Sequence, residues 1–384
     1  MEILGVSAIL GLTSFGGPIA HLGYFHNEYV RRRKWMDEKN YADLVALCQF
    51  LPGPASSQVG IGIGITRAGI LGGIAAWVGF TLPSLLAIVC FALLLKGFDI
   101  GNTGWIHGLK IVAVAIVAQA IAGMGKKLIV DRNGATIAVL ATTLTLAWQT
   151  SLSQISAILV AAALGLFLFK PIEIADVPDI HVPMKRSVAG FCLLLFFVLL
   201  FALPLIRELT SSSWIAMFDS FYRSGSLVFG GGHVVLPLLE REVVTAGWIS
   251  REDFLAGYGA AQAVPGPLFT FAAYIGAVME GWRGAAVATI GIFLPAFLLV
   301  AGALPFWSSL RKSPKIQGAL RGINAAVVGI LLSAFYHPIW TSSILASQDF
   351  ALACILFVML VFWNVPPWIV VVLGALGGIL ISYL

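Results

Sequence analysis

The chain has 384 residues, 59% of them hydrophobic and 11% charged, with a mean hydropathy of +0.95 and a formal charge of +5. A water-soluble domain carries roughly 25% charged residues, so this composition belongs in a bilayer and excludes a separate soluble catalytic or nucleic-acid-binding domain. Cys48, Cys90, Cys192 and Cys354 lie far apart in apolar segments, with neither a disulfide framework nor a Cys-x-x-Cys site, and read as small buried hydrophobes.

In chain order, Ile3 to Phe25 is apolar but interrupted by Phe15-Gly16-Gly17-Pro18. The run lacks the basic flank and small-residue cleavage site of a signal peptide. A basic loop follows, then a segment from Tyr41 to Ile65 broken at Pro52-Gly53-Pro54. Apolar segments come next at 69–95, 106–123, 135–149 and 152–169, then a polar linker at 170–187 and an apolar linker helix at 188–206. The pattern then starts again. A segment at 214–238 is broken at Phe229-Gly230-Gly231-Gly232, and one at 253–279 is broken at Pro265-Gly266-Pro267. Apolar segments follow at 284–306, 317–336, 347–363 and 366–384.

The two halves match in register. Phe15-Gly16-Gly17 and Glu28 recur as Phe229-Gly230-Gly231 and Glu242 at an offset of 214. Trp35, Gln49 and Pro52-Gly53-Pro54 recur as Trp248, Gln262 and Pro265-Gly266-Pro267 at an offset of 213. Gly69, Gly72, Gly79 and Pro83 recur at 212, and Lys110 as Arg321 at 211. The expected organisation is therefore a first repeat at 1–187, including the polar linker, and a second unit at 188–384 made of the linker helix and the second repeat. The fold class is an all-α polytopic membrane protein.

An even number of crossings per repeat, with one extra helix between them, predicts repeats of inverted topology. Thirteen full crossings satisfy this, and so do nine crossings with four re-entrant hairpins. The loops 27–40, 125–133, 170–187 and 308–315 carry 5, 3, 3 and 3 basic residues. The re-entrant version places all four on the cytoplasmic side, as the positive-inside rule asks, and is favoured.

Gly/Pro breaks within lipid are expected only where the freed backbone is buried or lines a cavity, and paired breaks in two halves point to a transporter's substrate site. Each break creates a half-helix whose N-terminus presents unpaired N–H groups and a positive dipole end, which suits a small oxyanion. The candidate substrate residues are Gly16, Gly17, Pro18, Pro52, Gly53, Pro54, Gly230, Gly231, Gly232, Pro265, Gly266 and Pro267. Gln49 and Gln262 stand as either ligands or helix caps. Lys110 and Arg321, with Asn324 one turn on from the latter, stand either as a pair that neutralises a dianion or as cations snorkelling from helix ends. Asp43, Asp219, His21 and His233 are the candidates for proton coupling. Glu28 and Glu242 are expected to pair with arginines in their loops. No nucleophile, metal-ligand or P-loop pattern is present, so no enzyme activity and no cofactor are expected.

With Ser14-Phe15-Gly16-Gly17-Pro18, the Trp35 loop and Leu51-Pro52-Gly53-Pro54, and their second-half counterparts through His233 and Val264-Pro265-Gly266-Pro267, the chain resembles the chromate ion transporter family in its two-domain form. The resemblance covers essentially the whole chain. It implies a plasma-membrane carrier that exports chromate and confers resistance, with sulfate or another small anion as the alternative. The implied partners are chromate and the lipid bilayer, without nucleic acid, and a homodimer is left open. Gly232 stands where the first motif has Pro18, which makes the two half-sites inequivalent.

Overall fold

The computed structural model describes residues 1–15, 17–96, 104–148, 151–169, 182–229, 234–307 and 313–383, and these residues form helices and no strands. The first repeat contains α1 (Glu2–Thr13), α2 (Gly17–Phe25, continued by a π-turn His26–Arg32), α3 (Glu38–Phe50), α4 (Ala55–Lys96), α5 (Gly104–Leu128), α6 (Arg132–Ala147) and α7 (Ser151–Leu168). After α8 (Arg186–Leu209) the order recurs as α9 (Ser213–Leu227), α10 (Val235–Leu239, with a π-turn Glu240–Val244), α11 (Arg251–Ala261), α12 (Phe271–Ala303), α13 (Pro314–Ala334), α14 (Ser347–Val361) and α15 (Pro367–Ile381). Even the π-turns fall at equivalent places. The polar linker from Lys170 to His181 and the glycine run Gly230–Gly232 with His233 lie outside the described residues, as does Gly16.

α4 and α12 are not single rods. Both reverse at a matched pair with nearly the same backbone: Ala68 (φ −148°) and Gly69 (φ +62°), Glu280 (φ −134°) and Gly281 (φ +59°). Gly69 and Gly281 supply the left-handed turn that a side chain would disfavour. Beyond it the arms lie against each other. A methyl on Gly64 would sit 2.3 Å from the Gly72 carbonyl oxygen, and one on Gly276 would sit 2.2 Å from that of Gly284. Residues eight apart in a straight helix are about 12 Å apart, so these glycines record a fold-back.

The broken segments also double back. Glu2 at the start of α1 pairs with Arg33 beyond α2 at 3.0 Å, and Arg67 lies over the Trp35 ring at 4.9 Å. The chain thus enters through α3, turns at Pro52-Gly53-Pro54, and returns beside its entry. In the second repeat the Tyr274 hydroxyl donates to the Asp253 carbonyl, joining the two ends of the equivalent hairpin. α1, α2, α3, α9, α10 and α11 are each shorter than the roughly 20 residues of a membrane crossing, as are α6, α7, α14 and α15 at 16, 18, 15 and 15 residues. Among the described residues five helices, α4, α5, α8, α12 and α13 with their extensions, are long and apolar enough to cross. Of their apolar windows, that of α12 is 78% buried and that of α8 only 22%. α12 is thus central, and α8 is left for lipid.

The later helices are exchanged between repeats. α5 packs on α14 and α15, and α13 packs on α6 and α7, while α4 packs against its own counterpart α12. Small residues allow this closeness: Gly108 against Gly374, and Gly165 against Gly318.

Candidate functional site

The glycine of each Pro-Gly-Pro reaches across to the other repeat. Gly53 N–H donates to the Val228 carbonyl at 2.6 Å, and Gly266 N–H donates to the Ser14 carbonyl at 2.9 Å. Val228 and Ser14 are themselves equivalent, each lying just before its repeat's glycine break. The two bonds are the same contact made twice, once in each direction between the two halves. Gly53 (φ +123°) and Gly266 (φ +95°) adopt backbones that favour glycine. A methyl there would meet Ala296 Cβ at 2.9 Å and Ser84 Oγ at 2.7 Å respectively, again equivalent positions.

One crossing closes a cavity of about 60 Å³, room for roughly four waters. Its wall joins the first repeat's glycine break to the second repeat's Pro-Gly-Pro: Gly17 and His21 of α2, Gln119 of α5, then Gln262, Gly266 and Leu268. Among the described residues, neither a carboxylate nor a charged amine or guanidinium lines it. Gly17 opens α2, and Leu268 opens the short 3-10 turn that leads into α12. First-turn N–H groups at both have no intrahelical partner by geometry. Gln262 Nε2 and His21 Nε2 are buried with no hydrogen-bond partner among the described residues. His21 Nδ1 lies 3.3 Å from Ser56 Oγ in the first turn of α4. Buried orphan polar atoms are costly, and here they gather around one space at the positive ends of two helical turns. Chemically, an arrangement of helix dipoles and amide donors of this kind can hold a small anion.

The remaining sequence candidates divide. Pro52, Pro54, Pro265 and Pro267 frame the crossings, and Pro18 is the second residue of α2. Gln49 is exposed in the last turn of α3, away from the cavity, whereas α11 ends two residues earlier in register and leaves Gln262 in a turn that faces it. Asn324 is half-buried on α13 and outside the cavity wall.

Lys110 and Arg321 are not brought together. Each lies in the second turn of its helix, not the first, because α5 and α13 begin a few residues earlier than the apolar pattern alone suggests. Arg321 donates to Asp131 at 2.9 Å and its guanidinium lies 4.4 Å over the Phe169 ring. Asp131 follows the far end of α5. Lys110 is buried about 27 Å away along that helix at 1.5 Å per residue, too far for one anion to touch both. Arg321 instead clamps one repeat to the other, and His107 does the same with Asp349 at 2.7 Å.

The carboxylates are engaged as well. Trp307 Nε1 donates to Asp43 at 2.9 Å. Asp219 is fully buried between Arg207 at 3.2 Å and Arg223 at 2.9 Å, and Arg223 also reaches Glu242 at 2.9 Å. Glu28 pairs with Arg32 and Arg33 of its own loop, at 3.2 and 2.6 Å, whereas Glu242 takes its partner from α9. Burial works against the Glu28 carboxylate, but the hydrogen bonds from Arg33 and Arg32 outweigh it and hold its pKa below the ordinary value. Among the described residues no three His, Cys, Asp or Glu side chains cluster as metal ligands.

Sequence reading did not single out Gln119 or Leu268. Gln119 offered a signal, a lone amide in the middle of an apolar helix; Leu268 offered none, since its contribution is a backbone N–H.

Against known proteins, the chromate transporter family profile matches residues 1–166 and 215–379. The chain belongs to the chromate transporter family. It is 30% identical to a probable chromate transport protein of Synechococcus elongatus over 85% of this chain and 81% of the relative. It is 29% identical to a chromate transport protein of Pseudomonas aeruginosa over 84% and 76%. An uncharacterized transporter of Bacillus subtilis, YwrA, matches at 30% identity over 98% of its own length and 44% of this chain. No solved structure matches the chain. With this family and these long apolar helices, the chain is a multi-pass membrane protein.

Proposed function

We propose that this protein is a secondary transporter that carries chromate out of the cytoplasm across the plasma membrane, and so confers chromate resistance. The observation that carries the reading is the carboxylate-free cavity at the crossed breaks, where helical N-termini and the unpartnered Gln262 amide face one small space. Curated relatives bear the name chromate transport protein, and chromate is a tetrahedral oxyanion of the kind such donors suit. Sulfate shares that geometry and is the competing substrate.

Transport would proceed by alternating access between inverted repeats. This is favoured by the grouping of chain ends. The start of α1, the Trp35 loop, the Gly69 turn and Pro183 gather at one end of the first repeat. After the single helix α8, Arg207, Glu242 and Trp248 gather at the entry of the second. A dianion leaving the cytoplasm gains roughly 2.3 kcal/mol per charge per 100 mV. Two charges give about 4.6 kcal/mol, over a thousandfold in concentration ratio, so the membrane potential suffices as driving force. With Asp43 and Asp219 tied in hydrogen bonds or ion pairs, His21 is the proton-coupling candidate that faces the cavity.

The test is radiolabelled chromate uptake into everted vesicles, with sulfate as competitor. Chromate accumulation that collapses with the potential while the pH gradient is clamped is expected. Accumulation indifferent to the potential would remove the potential-driven mechanism, and uptake of sulfate with no competition from chromate would remove the substrate.

A further inference from the structure

Repeat equivalence exposes one place where the two halves exchange the signs of a paired contact. Glu38 begins α3 and Arg251 begins α11, and the two are equivalent. Acids are favoured at a helix N-terminus and cations are not, because the first-turn N–H groups make that end positive. Glu38 satisfies the preference and holds His26 at 2.6 Å. At the positions equivalent to this pair the signs are exchanged. Glu240 faces Arg251 across a slack 3.5 Å, and Arg251 Nε is buried with no hydrogen-bond partner among the described residues. In α11 the next two residues, Glu252 and Asp253, meet that preference instead, so the helix start does not need Arg251, and Arg251 is only loosely held.

The surroundings fit. A cavity of about 50 Å³ lies between the end of α6, the π-turn after α10, the start of α11 and the segment after α13. Arg241, Arg251, Thr145, Thr245, Ser333 and His337 line it with Glu240. Arg241 is held in place by Ser153 Oγ at 2.9 Å and the Thr145 carbonyl at 3.0 Å. Two guanidiniums against one carboxylate leave the space net positive even with His337 neutral.

We propose that this cavity is a second oxyanion site, for a tetrahedral dianion of the sulfate or chromate type, gripped by Arg241 and Arg251. Guanidinium forks match oxyanion edges, and the N-terminus of α11 adds its dipole. Glu240 is the resident counter-ion that steadies Arg251 while the site is empty and gives way when the dianion arrives. This site shares no residue with the cavity at the crossed breaks and does not depend on the reading of that cavity.

Isothermal titration of sulfate into the purified full-length protein in nanodiscs tests it. The wild type should show two sites. Arg251→Gln should weaken one of them by about 30-fold or more and leave the other intact. Glu240→Gln keeps both arginines, removes the competing charge, and should tighten that same site. Gln262→Leu should affect only the other site, so a failure there concerns the central cavity alone. A wild-type isotherm from Arg251→Gln, or unchanged or weaker binding in Glu240→Gln, overturns the second site.

Discussion

Gly266→Ala is the sharpest perturbation of the crossing. The added methyl would lie 2.7 Å from Ser84 Oγ, 3.2 Å from Ser84 Cβ and 3.3 Å from the Gly11 carbonyl oxygen, on a backbone at φ +95°. A left-handed conformation costs a non-glycine residue roughly 1–2 kcal/mol, and overpacking a tight site adds about 1–3 kcal/mol, so the loss should be ~2–5 kcal/mol. Gly17→Ala provides the control: its φ is +77° but nothing lies within 4 Å of the new methyl, so only the backbone cost of roughly 1–2 kcal/mol applies. Thermal melts of purified variants followed by intrinsic fluorescence should place Gly266→Ala clearly below Gly17→Ala. Ser84→Gly added to Gly266→Ala should recover part of the difference, because it removes the two nearest atoms. Gly266→Ala melting with the wild type, or no recovery from Ser84→Gly, would refute the argument that this backbone crossing is sterically fixed.

Other predictions follow from the same geometry. Arg321→Ala removes a half-exposed ion pair with Asp131, so it should cost at most about 1 kcal/mol of stability and leave chromate affinity unchanged in a binding titration; a large affinity loss would restore Arg321 to the anion site. Asp219→Asn leaves Arg207 and Arg223 facing a neutral amide at a fully buried position, and should destabilise by about 3–5 kcal/mol in a chemical-denaturation series. In a background without Cys48, Cys90, Cys192 and Cys354, a cysteine at Arg32 should label only from the cytoplasm and one at Thr245 only from outside. Labelling of both from one face would exclude inverted repeats.

The breaks and the duplication were legible because glycine and proline act locally: Pro52-Gly53-Pro54 and Pro265-Gly266-Pro267 interrupt a helix whatever surrounds them. The fold-back of α4 and α12 was legible only as a boundary: the apolar segments part between 65 and 69 and between 279 and 284, but nothing in the sequence shows that the arms on either side meet at Gly64 and Gly72. Partner choice across repeats was also hidden. Nothing near Arg321 in the sequence points to Asp131, 190 residues earlier, and an exposed arginine at a helix start reads equally as a ligand. Gln49 and Gln262 show the same limit at its smallest: equivalent in sequence, they part because α11 stops two residues sooner than α3.

Chromate binding to purified Gln262→Leu and Gln49→Leu proteins tests the central claim most directly. Removing an amide donor to a bound anion should cost about 1.5–3 kcal/mol, which is roughly 10- to 150-fold in Kd, while Gln49→Leu should bind as the wild type does. Equal affinities in the two variants would contradict the placement of the anion in the cavity between Gly17 and Gly266.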